Sequence, residues 1–167
     1  MRVVSGVLLL AVAAAIFFFS SQTYSQQNLI PKMRTYIQED TLARMLPDME
    51  IEYNGKLLQA KKSPYQFTQV ILRKGAHLFM YGLLACAISF VLTFYKWAKW
   101  KKAMLLYGVV ISIAALDEWN QRSSFQRTSK PSDVVIDVIG ATLGVAISLL
   151  AMTAFRSVKQ RKINNQN

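Results

Sequence analysis

One cysteine, Cys86, occurs in the chain, so no intrachain disulfide can form and no cysteine-built metal site exists. There is also one histidine, His77. Acidic residues are few, nine against twenty lysines and arginines. No HExxH, Gly-x-Ser-x-Gly or phosphate-loop pattern occurs, so no standard catalytic signature supplies a function. The excess of base, +11 at neutral pH, would suit nucleic acid in another setting. Here the cations sit beside apolar blocks, where they orient a membrane protein, and nucleic acid is set aside as a partner.

What the chain has in quantity is apolar sequence, 53% of its residues. These residues are gathered in blocks, which is the mark of membrane spans rather than of a soluble core. The first block runs from Val3 to Phe19 and follows Arg2. It is too long for a typical signal-peptide core, and Phe17, Phe18 and Phe19 stand where a cleavage site wants small residues. The expectation is an uncleaved first span. A second element starts at Ser63, read as an N-cap, with Pro64 in the first helical position and Gln66 completing a capping box. It runs to Tyr95, longer than a span needs, so Pro64 to Lys74 should protrude or lie among headgroups. Its membrane part begins near Gly75 and puts His77 just inside the border, with Arg73 and Tyr81 on the same face. Spans three and four are read from Ala103 to Leu116, extended to Asn120, and from Val134 to Phe155. The loop 96–102 between spans two and three carries four lysines and no acid, beside Trp97 and Trp100. That loop and the basic tail after Phe155 should be cytoplasmic. Both termini then lie inside, and loops 20–75 and 117–133 lie outside.

Between the first two spans lies the only large polar segment. Leu29, Met33, Tyr36, Ile37, Leu42, Met45 and Leu46 recur at about helical spacing, so one amphipathic helix is expected from Asn28 to Leu46, ended by Pro47. Alternation from Met49 to Tyr53, then Asn54-Gly55 and Lys56 to Gln59, predicts a β-hairpin. An isolated hairpin is marginal, so it should lean on the helix or the membrane.

The acids mark the candidate site. Four of the nine, Asp117, Glu118, Asp133 and Asp137, lie at the outer ends of spans three and four. Asp117 and Gln121 share a helix face, and Asp133 complements the positive start of span four after the break at Pro131-Ser132. Asp137 lies one turn deeper in an apolar span, where a lone charge costs several kcal/mol. It should pair with Arg73, Arg127 or His77, or carry a proton. Gly140 and Gly144 continue its face with a spacing that suits close helix packing. Milder readings exist for most of these residues: Asp133 as a helix-start residue, Asp117 and Glu118 as wet interface charges, Arg73 and Lys74 as phosphate anchors, and His77 as an interhelical hydrogen-bonder. Asp137 has no such easy account.

At these positions the sequence resembles the VanZ-like family of bacterial membrane proteins. The matching pieces, in order, are Ser20-Ser21-Gln22, Arg73-Lys74 with Ala76-His77 and Tyr81, Asp117-Glu118 with Gln121, Arg127, and Asp133, Asp137, Gly140 and Gly144. The chain departs from the family where a Pro-Gly-Arg type turn is usual and Ser124-Phe125-Gln126-Arg127 stands instead. The resemblance implies an all-α, polytopic four-helix membrane bundle over 1–167, with 24–62 as an extracytoplasmic insertion. The family's namesake is associated with resistance to the lipoglycopeptide teicoplanin, which implies an envelope or resistance role by analogy alone.

Three functions follow for comparison. The first is a binding pocket at headgroup depth for a lipid headgroup, lipid-linked wall precursor or lipoglycopeptide, formed by Arg73, Lys74, His77, Tyr81, Asp117, Glu118, Gln121, Arg127, Asp133 and Asp137. Its cations would hold phosphate or carboxylate. The second is an intramembrane hydrolase or transferase with His77 and Glu118 as acid and base. No cofactor is named by the sequence, but Zn, Mn or Mg would suit His77, Glu118, Asp133 and Asp137. The third is transport, which four short spans would support only as a homo-oligomer.

Overall fold

The computed structural model describes residues 2–23, 25–53, 55–123 and 131–164. Their elements, in order, are α1 (Arg2–Ser21), α2 (Ile30–Tyr36), α3 (Glu39–Met45), β1 (Glu50–Tyr53), β2 (Lys56–Gln59), α4 (Pro64–Leu92), α5 (Lys99–Ser123) and α6 (Pro131–Asn164). Four helices are long and apolar enough to cross a bilayer, over Val3–Ser21, Pro64–Leu92, Lys99–Asn120 and Asp133–Phe155. The chain is thus a mainly helical, multi-pass membrane protein, with a two-stranded sheet between its first two spans.

The distribution of side chains is that of a protein solvated by lipid. Leu10, Met104 and Leu150 are 67–71% exposed, while Ser20, Asp117, Glu118 and Asp137 are buried. Turning apolar surface outward and carboxyls inward is costly in water and favourable in hydrocarbon. A thin apolar core joins the helices: Val12 and Ile16 of α1, Leu84 and Ile88 of α4, Val110 of α5 and Ala141 of α6.

The most extensive helix contact is α4 against α6. Its cause is visible in three glycines. A Cβ on Gly140 would strike the Leu78 backbone, one on Gly144 would strike the Gly82 backbone, and one on Gly82 would lie 3.1 Å from the Gly140 carbonyl oxygen. Backbone therefore rests on backbone, as small-residue spacing permits in membranes. The Gly140/Gly144 pair is used within the chain. Cys86 adds a weak donor to this seam, its Sγ 3.2 Å from the Gly144 carbonyl.

Two local expectations need correction. The segment from Asn28 to Leu46 is two short helices, not one. Ile37 and Gln38 are extended, with ψ of 125° and 146°, and separate α2 from α3. The reason is tertiary: the Tyr65 hydroxyl of α4 donates to the Ile37 carbonyl at 2.7 Å, a group a continuous helix would keep for itself. Ser63 begins α4 without a side-chain cap, so the capping box is absent. Its backbone serves instead, with N–H to the Gln59 carbonyl and C=O accepting from Phe67. The hairpin has the expected register, Glu50 opposite Gln59 and Tyr53 opposite Lys56. Gly55 at φ 69° fills the left-handed turn position that only glycine adopts freely. Ala60, fully buried, follows the hairpin, and the insertion rests on the start of α4.

Candidate functional site

Three helices deliver ionisable groups to one place. α4 carries His77 and α6 carries Asp137, beside the glycine seam. Because the seam fixes the two backbones closely, His77 Nδ1 reaches Asp137 Oδ1 at 3.2 Å. Asp137 is fully buried, and its second oxygen, Oδ2, has no hydrogen-bond partner among the described residues. α5 brings Asp117, 2% exposed, to the same spot. One donor atom each from His77, Asp117 and Asp137 lies within 4.8 Å of the others. Tyr81, one turn further along α4, sets its ring parallel to the His77 imidazole, with centroids 6.4 Å apart. Its buried hydroxyl is within electrostatic reach of Asp117, Asp137 and Glu118.

Other expected members stand around this cluster. Arg73 lies one turn before His77, acts on it electrostatically, and donates from Nη1 to the Tyr53 hydroxyl at 3.4 Å. Lys74 pairs with Asp133 at 3.4 Å, both partly buried. That pair ties α4, three turns in, to the first turn of α6, beside Arg73 and His77. Glu118 is buried on α5, but the acid that meets the imidazole is Asp137. The Gln121 side chain and Arg127 lie outside the described residues.

Beside the cluster is a cavity of about 400 Å³. Ile16, Phe19, Leu72, Phe79 and Met80 give it an apolar wall. Arg73, His77, Tyr81 and Asp117 give it polar lining, with Gln26, Gln27 and Gln69. The turn after α1 helps to close it, through a Gln27 side-chain bond to the Phe19 carbonyl. Sequence reasoning missed this wall and its glutamines. The signal was a glutamine-rich stretch directly after a span, which periodicity does not register. It also missed the tie that positions Asp117: Ser20 Oγ donates to the Asp117 carbonyl at 3.4 Å and accepts from Asn120 Nδ2 at 3.3 Å.

The chemistry open to such a place is limited by its groups. An apolar wall takes hydrocarbon, and a guanidinium and imidazole take an anionic oxygen. An imidazole with two carboxyls is a donor set for a divalent cation. No curated protein and no solved structure matches the chain. A family model described as VanZ/LLP1 matches residues 6–152.

Proposed function

The chain belongs to the VanZ/LLP1 family, and from that premise we propose that it binds an anionic, amphipathic envelope molecule in the cavity between α1 and α4. The class includes a phospholipid, a lipid-linked wall precursor and a lipoglycopeptide. The observation that carries this reading is the composition of the cavity, whose lining joins Phe19, Leu72 and Phe79 with Arg73 and His77. A hydrocarbon chain would lie against the first group while its phosphate or carboxylate met the second. Arg73 suits this task because its planar fork can hold two oxygens of one anion.

The basic loop 96–102 and the basic tail support an orientation with both termini in the cytoplasm. Loops 20–75 and 117–133 would then be extracytoplasmic and the cavity would sit at the outer leaflet. A protein that sequesters or senses such a ligand would serve envelope homeostasis, and glycopeptide resistance of the teicoplanin type is one outcome of that service.

The test is lipid mass spectrometry on the full-length protein, purified in mild detergent and washed. Wild-type protein should retain an anionic lipid at near-stoichiometric level. Arg73→Gln should lose it at least about tenfold, the value of one charged hydrogen bond. Equal retention by wild type and variant, with the variant folded, would sink the proposal.

A further inference from the structure

We infer that His77, Asp117 and Asp137 form a site for one divalent cation of the zinc or manganese class, at the inner end of the cavity. This deepens the binding reading above and rests on it only for the role of the ion, not for its presence.

Four observations converge. The first is the donor set, one imidazole and two carboxyls contributed by three different helices. The second is spacing. Two donors about 2.1 Å from one ion and roughly at right angles to each other are about 3.0 Å apart, and opposite ones about 4.2 Å. His77 Nδ1 and Asp137 Oδ1 are 3.2 Å apart, and the full group falls within 4.8 Å. Asp117 supplies the third donor within that radius. The third is the buried Asp137 Oδ2, with no hydrogen-bond partner among the described residues. A carboxylate oxygen in that state inside a membrane span is expensive, and a bound cation removes the cost. The fourth is the support around the donors. Tyr81 lies parallel to the imidazole, and its buried hydroxyl stands close to Asp117.

The arrangement leaves positions open on the cavity side. His77 and Asp117 both line the cavity, whereas Asp137 does not. The ion would thus be anchored from behind by α6 and would face the ligand. Three protein donors leave room for an anionic oxygen of the bound headgroup, as in metal sites that keep an open position. Arg73 would contact the same group from the side. Imidazole with carboxylates favours zinc or manganese over the all-oxygen shell preferred by calcium.

The experiment uses full-length protein in mild detergent, stripped with a chelator and dialysed. Titration with Mn²⁺, followed by electron paramagnetic resonance, reads bound and free ion directly. Wild-type protein should take up about one equivalent, and pulsed spectra should show coupling to an imidazole nitrogen. His77→Gln should abolish that coupling, and both His77→Gln and Asp137→Asn should weaken binding at least about tenfold. Glu39→Gln, on the exposed face of α3, should bind as wild type. Uptake below about half an equivalent by folded wild-type protein overturns the site. So does nitrogen coupling that persists in His77→Gln. Lipid retention is read on the same preparations. Protein that keeps its lipid but takes no ion overturns the cation and leaves the pocket. Protein that takes the ion but keeps no lipid does the reverse.

Discussion

At the scale of single residues, the His77–Asp137 contact is asymmetric. Asp137 is fully enclosed, while the His77 side chain keeps 17% of its surface open. Removing the imidazole leaves a carboxyl group in a dry place with its one described partner gone. Removing the carboxyl leaves an imidazole that can still meet the cavity. His77→Leu should therefore cost about 3 kcal/mol, in the range for stranding a buried polar partner. Asp137→Leu should cost nearer 1 kcal/mol, the worth of one hydrogen bond. The double variant should recover part of the larger loss, since the stranded group is then gone. Reversible unfolding in mixed detergent micelles reads all three, and equal losses for the two single variants would contradict the argument. Lys74 and Asp133 give the comparison. The Lys74 side chain of their pair keeps 36% of its surface open, and Lys74→Ala should change stability by less than about 1 kcal/mol. The need for a partner at Asp137 was legible in the sequence, because its cost follows from position alone. The choice of His77 among three named partners was not, since it depends on how α4 and α6 rotate. Nor was the approach of Asp117, which a tie between Ser20 and α5 helps to set.

At the scale of elements, glycines divide into two kinds. Gly140 and Gly144 lie on a neighbouring backbone, which cannot yield as a side chain would. Gly75, in α4, has nothing within 4 Å of where a Cβ would stand. Gly144→Ala should then destabilise by about 1–3 kcal/mol through overpacking. Gly75→Ala should stabilise by roughly 0.5–1 kcal/mol, since alanine is the better helix former. Thermal unfolding of the two purified variants decides this, and the same sign for both would refute the seam. The four spans and the hairpin were readable because they follow from local pattern. The break at Ile37–Gln38 was not, because apolar spacing continues through it. A hydrogen bond from Tyr65, 28 positions away in sequence, is what the pattern lacks.

At the scale of the whole molecule, polarity is inverted relative to a soluble bundle. Four apolar exteriors surround a small number of enclosed polar groups. Blocks of hydrophobic sequence were enough to foresee this, because lipid solvation is written in composition. The apolar side of the cavity was not foreseeable, since it depends on how α1, the turn after it and α4 pack. The proposed orientation predicts labelling. In a Cys86→Ala background, Glu52→Cys in the hairpin should react with an impermeant maleimide on intact cells. Lys101→Cys should react only after permeabilisation. The opposite pattern would reverse the topology and put the cavity at the inner leaflet.

The glycine contact between α4 and α6 has a mechanical consequence. Two helices pressed main chain to main chain have no slack to share, so they must travel together as a single stiff plank. That plank holds His77 and Asp137, while Asp117 belongs to α5, which touches it less extensively. Any breathing of the protein would therefore open along the line between Asp117 and the other two, and the cluster would come apart as two and one.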